Sequence, residues 1–295
     1  LVLDDSSILT AGDAFDLTSA AVQRFGASDA NSITLEGDEF EHIDASTITK
    51  NLDLTGTANA NTVQGGTGND TIDGAAGADS LIGGKGTDEI TTGAANDTVE
   101  GGDGADTITI DAGTNSISGG AGSDTFTFSN TADEDGKTVI TDLATGEDIN
   151  LTYVAGGAFS TLHDTAGAAI AAAVAGAVQN VGLGNGAGEL GAGDVTLAAG
   201  GNILHFGDVA NGVDGLIAAI NATGNEIKEF GGGTFANGDE ILVAAKNTTT
   251  GFTELGIMTV AGGDGIKTND ETIEELLFST NTLTSAQLAA LVDIV

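Results

Sequence analysis

The chain has 295 residues and a formal net charge of −37, with only seven lysine and arginine residues against 44 aspartate and glutamate residues. This balance excludes nucleic acid as a partner, because phosphate binding needs clusters of basic residues, and it disfavours an anionic membrane surface. The sequence has no cysteine and no tryptophan but 47 glycines, so disulfides cannot stabilise it and a large conventional core is not expected. Its length allows about two domains.

Residues 1–55 form the first predicted region. Short runs with β-strand patterning occur at 32–35, 39–43 and 51–55. Leu54 lies nine residues before Val63, in phase with the repeats that follow, so we interpret the region as irregular β-helix rungs leading into a regular solenoid. The chain starts at Leu1 without a methionine and without a basic segment, so we expect a fragment of a longer protein rather than a signal peptide.

Between Gly56 and Thr127 the sequence repeats every nine residues, eight times in one phase. Position six is always Asp or Asn, and position eight is always Val, Ile, Leu or Phe. Four units follow the pattern GGxGxD and then place an apolar residue at position eight: GGTGNDTID (65–73), GGKGTDEIT (83–91), GGDGADTIT (101–109) and GGAGSDTFT (119–127). Looser copies precede each of them: GTANANTVQ (56–64), GAAGADSLI (74–82), TGAANDTVE (92–100) and IDAGTNSIS (110–118).

Each unit divides into a six-residue turn and a three-residue strand. Glycine in the turn permits positive φ and close approach of neighbouring backbones. One unit cannot bury its single inward-facing apolar residue, but stacked units can, so the pattern predicts a parallel β-solenoid. The predicted core consists of the position-eight residues Val63, Ile72, Leu81, Ile90, Val99, Ile108, Ile117 and Phe126.

Two units make one coil of 18 residues, so adjacent strands on a wall should lie about 4.8 Å apart. The position-six residues then form two stacks, one from the GGxGxD units and one from the looser units. The first is Asp70, Asp88, Asp106 and Asp124, and the second is Asn61, Asp79, Asp97 and Asn115. We therefore predict one strong and one weaker metal-binding face, with at least three ions on the strong one.

Carboxylates stacked in this way repel each other. The repulsion is roughly 3–4 kcal/mol per pair at an effective dielectric near 20, which outweighs the roughly 1.5–3 kcal/mol from burying one apolar side chain per unit. A cation between each pair of carboxylates turns this net repulsion into a net attraction. Carboxylate and carbonyl oxygens suit Ca²⁺ better than Mg²⁺. The alternative is a glycine-rich disordered tract, which eight units in one phase disfavour.

These units resemble the nonapeptides of the RTX (repeats-in-toxin) proteins, which are exported by type I secretion. The resemblance implies a mostly β fold, a right-handed parallel β-roll with Ca²⁺ between its turns. It assigns the ligands to the position-six side chains named above and to glycine turns: Gly65, Gly66, Gly68, Gly83, Gly84, Gly86, Gly101, Gly102, Gly104, Gly119, Gly120 and Gly122. Thr92 and Ile110 depart from the family pattern at the first glycine, and Asn61 and Asn115 depart from it at the aspartate.

After Thr127 the phase ends, and residues 128–154 form the predicted cap. The segments 139–143 and 146–149 resemble the strand pair that closes RTX rolls, written V-I-x-D-F-x-x-G-x-D-x-I. This resemblance makes Asp142 and Asp148 candidates for a capping Ca²⁺ site. The alternative is a solvated turn.

Residues 155–295 form an Ala/Gly-rich C-terminal region, predicted to be mixed and β-rich with a few short helices. Asp164 is predicted to cap a helix over 165–178, and Asp208 to cap a second helix. The apolar face of the second helix would contain Val209, Val213, Leu216, Ile217 and Ile220. The longest apolar run, 168–178, is too short to span a bilayer.

A hairpin is predicted from 241–245 against 255–260. Thr284 and Gln287 form a capping-box pattern at the start of a terminal helix. The position of this helix resembles the uncleaved export signal of type I substrates, and an ordinary docked helix is a compatible alternative.

No HExxH motif, no GxSxG motif and no cysteine nucleophile occur, so we do not expect an enzyme. The acidic composition, without Cys or Pro, favours a secreted surface-layer module that folds and self-assembles on Ca²⁺ binding. The stretch 40–46 followed by 52–56 resembles lead-ins of RTX surface-layer proteins and giant adhesins. The expected partners are Ca²⁺, further copies of the chain, the type I exporter and cell-surface polysaccharide. The alternatives are the export and folding domain of a secreted RTX protease or lipase, and an adhesin whose residues 155–260 bind a ligand.

Overall fold

The computed structural model describes residues 24–25, 32–34, 42–129, 138–144, 146–151, 174–175, 178–180, 195–196, 203–223, 227–228, 240–259, 272–280 and 283–294. The chain divides into two compact units. The first contains Leu1–Asp133 and Ile140–Ile149, and the second contains Glu134–Val139 and Asn150–Val295.

The first unit is a parallel β-solenoid with two walls, built by about five turns of the chain. The first wall contains β2 (Ser32–Thr34), β4 (Asp53–Thr55), β6 (Thr71–Asp73), β8 (Glu89–Thr91), β10 (Thr107–Ile110) and β12 (Thr125–Phe128). The second wall contains β3 (His42–Asp44), β5 (Thr62–Gln64), β7 (Ser80–Lys85), β9 (Thr98–Asp103) and β11 (Ser116–Ala121). A short strand, β1 (Arg24–Phe25), pairs antiparallel with β2.

The register confirms the predicted coil of 18 residues. Val63 pairs with Leu81 on the second wall, and Ile72 pairs with Ile90 on the first. All eight position-eight side chains are buried, with no more than 2% of their surface exposed. The repeating part of the core is therefore a file of aliphatic residues followed by Phe126, and Ile110 and Phe128 add two further buried side chains.

The described strands that precede the repeats pair at irregular spacings. Ile43 pairs with Val63 across 20 residues, and Ile33 pairs with Leu54 across 21. Leu54 is buried and pairs with Ile72 in the regular spacing. The transition from irregular to regular coils thus falls where the nine-residue phase begins.

The solenoid continues beyond the last repeat. Two further strands follow, β13 (Thr138–Ile140) and β14 (Asp148–Leu151). Thr141 N donates to Ile117 O at 2.8 Å, and Asp148 N donates to Asp124 O at 2.9 Å. Thr141 and Asp148 therefore extend the stacking of the two walls beyond the last repeat.

The second unit contains a mixed sheet with the order β16 (Val178–Asn180), β18 (Ile203–Val209), β20 (Glu240–Asn247), β21 (Thr253–Thr259) and β22 (Thr272–Thr280). The predicted hairpin is confirmed, because β20 and β21 pair antiparallel with Ala245 opposite Glu254. Two small ribbons are β15 (Val174–Ala175) with β23 (Val292–Ile294), and β17 (Val195–Thr196) with β19 (Ile227–Lys228).

Two α-helices occur in the described part of this unit, α1 (Leu216–Thr223) and α2 (Ser285–Leu291). The capping box at α2 is confirmed: Thr284 N donates to Gln287 Oε1 at 2.9 Å, and Gln287 N donates to Thr284 Oγ1 at 3.3 Å. Among the residues that the structure describes, no helix has the length and apolar character needed to cross a membrane.

One helix prediction in this unit is wrong, and a second is right about the helix, in which Val213, Leu216 and Ile220 are buried, but wrong about its start. Residues 174–175 and 178 lie in strands rather than in a helix over 165–178, whose remaining residues, with Asp164, lie outside the described part. Asp208 lies in β18 and forms an ion pair with Lys246 at 3.0 Å, so the helical turns begin only after Asn211. In both cases strand pairing with distant segments outweighs a weak local helix preference.

Candidate metal centre

The site is built from the turns of the four GGxGxD units, which stack directly on each other. Gly84 pairs with Gly102, and Gly102 with Gly120. Gly102 has φ +120°, and a Cβ atom there would overlap Gly84 O. Only glycine permits both the positive φ and this approach of one turn to the next. The stacked turns therefore bring backbone carbonyls close to the position-six side chains.

One oxygen of each position-six side chain joins neighbouring turns. The backbone N–H of residue i donates to Oδ1 of residue i+18. In the first stack the distances are 2.7 Å for Asp70 to Asp88, 2.8 Å for Asp88 to Asp106 and 2.9 Å for Asp106 to Asp124. In the second they are 2.7 Å for Asn61 to Asp79, and 2.8 Å for both Asp79 to Asp97 and Asp97 to Asn115. The position-six residues therefore form the two predicted stacks, and each side chain accepts a hydrogen bond from the backbone of the turn before it.

The other carboxylate oxygen is left without a partner. In the described residues, the buried Oδ2 atoms that accept no hydrogen bond include those of Asp79, Asp88, Asp97, Asp106 and Asp124. All five side chains are at least 97% buried. A buried carboxylate oxygen without a donor or a cation is strongly destabilising, so such atoms require an explanation.

In the first stack, Asp88 Oδ2 and Asp106 Oδ2 share their surroundings with a backbone carbonyl of the next turn. A Cβ atom built on Gly83 would lie 2.5 Å from Asp88 Oδ2 and 2.5 Å from Gly101 O. The equivalent point at Gly101 lies 2.7 Å from Asp106 Oδ2 and 2.5 Å from Gly119 O. Negatively polarised oxygens thus converge in the space that glycine leaves open.

The second stack repeats this arrangement in fewer places. A Cβ atom on Gly74 would lie 2.7 Å from Asp79 Oδ2 and 2.5 Å from Thr92 O. The Asn115 amide instead donates from Nδ2 to Asp111 O at 3.4 Å. Among these described residues, unpartnered carboxylate oxygens therefore number three in the first stack and two in the second.

Burial raises the pKa of these carboxyl groups. It raises the pKa of Asp88 and Asp97 to about 7, with a smaller contribution from neighbouring aspartates, and the pKa of Asp79 to about 6. The pKa values of Asp70, Asp106 and Asp124 are raised for the same first reason. Burial therefore disfavours the ionised form of the stacked aspartates. A positive charge beside them would have the opposite effect and lower their pKa values.

Asp70 differs from the aspartates that follow it. Its Oδ1 accepts from Leu52 N at 2.8 Å and its Oδ2 from Gly66 N at 2.8 Å. Leu52, 18 residues earlier, occupies position six of the preceding coil and offers no carboxylate. Asn61 is similar, because its Oδ1 accepts from Thr57 N at 2.6 Å. Backbone donors therefore satisfy the first member of each stack.

At the other end, Asp142 lies on the last GGxGxD turn. Its carboxylate accepts from Ser118 Oγ at 2.6 Å, Gly119 N at 3.1 Å and Gly120 N at 2.9 Å. The Asp148 side chain is exposed. The two predicted capping residues thus do not share one environment: Asp142 is held over the turn, and Asp148 faces outward.

Glu147 is the buried acid of this last turn, and the sequence prediction missed it. Only 2% of its surface is exposed, and burial, followed by Asp124 and Asp142, raises its pKa to about 7. Its Oε2 accepts from Ala144 N. Counting back from the apolar Ile149 in the nine-residue frame would have placed Glu147 at position six.

The chemistry of the donor set is all oxygen. Within the described ranges, no three His, Cys, Asp or Glu side chains come together as a ready metal cluster. Any ion in the turns must therefore combine aspartate Oδ2 atoms with glycine carbonyls. Such mixed ligation by carboxylates and carbonyls is characteristic of Ca²⁺.

The fold and these turns define a parallel β-solenoid with oxygen-lined, stacked turns. The family model of the RTX calcium-binding nonapeptide repeat (4 copies) matches residues 55–90, 82–117 and 91–126. Residues 55–126 therefore form an RTX calcium-binding β-roll. Comparison with curated proteins gave no match, nor did comparison with solved structures.

Proposed function

We propose that this chain is a structural, non-catalytic module of a secreted bacterial surface-layer protein, which folds on binding Ca²⁺ outside the cell and then self-assembles. The observation that carries the calcium-coupled folding is the set of five buried aspartate Oδ2 atoms without partners, arranged in register along two stacks. A cation supplies the partner that the protein itself does not provide.

The coupling follows from the charges. Folding moves several carboxylates from water into a dry ladder, where neighbouring carboxylates oppose ionisation. Ca²⁺ binds only the stacked turns, so its binding free energy stabilises the folded state. Extracellular calcium modules have dissociation constants of about 10⁻⁴–10⁻³ M. A chain of this kind stays open for a type I exporter in the calcium-poor cytosol and closes on arrival outside.

The test is far-UV circular dichroism of the full chain, first in excess chelator and then during a calcium titration. We expect the β-sheet signal to develop between about 0.1 and 1 mM Ca²⁺ and to be lost on chelation. Mg²⁺ at the same concentration is the control and should not replace Ca²⁺, because it demands a smaller and more rigid octahedral site. A full β signal in chelator at neutral pH would refute calcium-coupled folding.

Surface-layer membership is supported by composition: the chain is strongly acidic, lacks Cys and Pro, and has 47 glycines. Ca²⁺ would reduce the self-repulsion of a net charge of −37 and so permit copies to approach one another. Negative-stain electron microscopy of the purified chain tests this assignment. We expect two-dimensional sheets in millimolar Ca²⁺ and none in chelator, and calcium-loaded particles that stay monomeric at high concentration would contradict self-assembly.

Cell-surface polysaccharide is the remaining proposed partner, through which such a layer would attach to its cell. Co-sedimentation of the calcium-loaded chain with purified surface polysaccharide tests this attachment, and protein that stays in the supernatant would contradict it.

A further inference from the structure

The last turn of the roll reproduces the repeat without its sequence pattern. Asp148 N donates to Asp124 O at 2.9 Å, just as Thr125 N donates to Asp106 O at 2.8 Å one turn earlier. Asp148 therefore occupies position seven and Glu147 occupies position six. The separation of Asp124 from Glu147 is 23 residues, five more than the regular 18, because a longer connection precedes β13.

The alternation of burial supports this frame. Glu147 and Ile149 are buried, whereas Asp148 between them is exposed. In the preceding turn Asp124 and Phe126 are buried in the same way. Residues 142–150 are thus a ninth unit, DLATGEDIN, in which Glu replaces the position-six Asp and Asp142 replaces the first Gly.

The space between this unit and the last GGxGxD turn contains an unsatisfied ligand. Asp124 is 1% exposed, and its Oδ2 accepts no hydrogen bond. Earlier in the ladder, Asp88 Oδ2 and Asp106 Oδ2 lie beside the first glycine of their own unit, near the carbonyl of position one of the following turn. Asp124 Oδ2 lies beside Gly119 in the same way. For Asp124 the following turn is the one that begins at Asp142, whose carboxylate is already held by Gly119 N and Gly120 N.

We propose that a divalent cation of the calcium type binds between Asp124 and Glu147, so that the ladder of sites ends one turn beyond the residues matched by the RTX model. The proposal rests on the proposed calcium-binding function of the roll. Asp124 Oδ2 and the Glu147 carboxylate are its side-chain ligands, and backbone carbonyls complete the site as in the repeats. Asp142 contributes negative charge and fixes the turn rather than acting as the main ligand.

The experiment counts calcium ions bound per full-length chain, by native mass spectrometry and by equilibrium dialysis at saturating Ca²⁺. The test variant is Glu147→Gln, which keeps the size of the side chain but removes its charge. The matched control is Asp148→Asn, which removes the same charge from the adjacent, exposed residue. We expect one ion fewer in Glu147→Gln than in the wild type, and the wild-type number in Asp148→Asn.

The double variant Asp124→Asn/Glu147→Gln extends the test, because both residues belong to the same site. It should bind no fewer ions than Asp124→Asn alone. If the wild type binds several ions and Glu147→Gln binds the same number, the terminal site is refuted while the function of the roll stands. If the wild type binds none, the proposed function itself fails.

Circular dichroism at saturating Ca²⁺ establishes whether Glu147→Gln is folded. If it is not, Glu147→Asp provides the test, because its carboxylate is retained but is one methylene shorter. We expect this variant to keep the wild-type ion count and to bind the last ion several-fold more weakly. A calcium titration curve identical to that of the wild type would overturn the proposal.

Discussion

Position six of the repeat uses its two carboxylate oxygens for different purposes. Oδ1 accepts the backbone N–H of the equivalent residue one turn earlier, for example Asp88 Oδ1 from Asp70 N at 2.7 Å. Oδ2 remains buried without a donor in five of the six stacked aspartates, and Asp70 is the exception. Asparagine can perform the first task through its amide oxygen, as Asn115 does for Asp97, but it lacks the negative charge needed for the second.

Because the two oxygens have different roles, the same substitution, Asp to Asn, should affect calcium binding differently at two positions. Asp88→Asn should lower the number of bound Ca²⁺ ions, because Asp88 Oδ2 has no other partner. Asp70→Asn should keep the wild-type number, because backbone donors at Leu52 and Gly66 already satisfy both Asp70 oxygens. Equilibrium dialysis on the two variants measures the difference. Equal losses would show that the Asp70 hydrogen bonds give way to metal ligation.

At the scale of the element, each strand of the roll buries only one or two side chains: β8 buries Ile90 alone, and β10 buries Ile108 and Ile110. A strand this short has no stability of its own. Its place is determined by parallel pairing on both sides, with Ile108 between Ile90 and Phe126. The roll is therefore sensitive to any vacancy in the file of core residues.

Truncation of a middle core residue should be costly. We expect Ile108→Ala to lower the free energy of unfolding by about 2–5 kcal/mol in saturating Ca²⁺, because the two neighbouring turns cannot collapse into the cavity. Thr107→Ala on the same strand is the control and should change it by less than about 0.5 kcal/mol. Urea denaturation followed by circular dichroism provides both values. A loss in Ile108→Ala as small as in the control would mean that calcium, not the apolar file, carries the stability of the roll.

At the scale of the whole molecule, the buried acidic side chains of the roll reverse the usual effect of acid, which is to destabilise a folded protein. In the calcium-free roll the pKa values of Asp79, Asp88, Asp97 and Glu147 are raised to about 6 or 7. A group with a raised folded-state pKa stabilises the fold fully below its unfolded pKa, about 4, and loses that contribution as the pH rises through its folded pKa. Protons and Ca²⁺ are therefore alternative ways of neutralising the same carboxylates.

Calcium-free protein should accordingly be more stable near pH 4 than near pH 8, with most of the loss between about pH 4 and 7. Thermal unfolding followed by circular dichroism across this range, in calcium-free buffer, measures the trend. Saturating Ca²⁺ should remove or invert the trend, because metal binding requires the ionised carboxylates. A calcium-free chain that is most stable at neutral pH would contradict the burial of unpaired carboxylates.

The sequence by itself determined the 18-residue register, the file of core residues from Val63 to Phe126 and the two stacks of acids. It could do so because the repeat is periodic: each residue has the same neighbours one coil away, so a local pattern specifies a long-range contact. The same reasoning located the hairpin of β20 and β21 and the capping box of α2, whose interactions are also close in sequence.

Only the tertiary structure decided what depends on pairing between distant or irregular segments. It assigned Glu147 rather than Asp148 to the buried position of the last turn. The sequence did not reveal this, because five extra residues between Asp124 and Glu147 interrupt the 18-residue spacing. It satisfied Asp70 with backbone donors, because the preceding coil places a leucine opposite it. It also paired Val174 with Ile294 in a ribbon where local propensity favoured a helix, since hydrogen bonding to a strand more than a hundred residues away outweighs that weak preference.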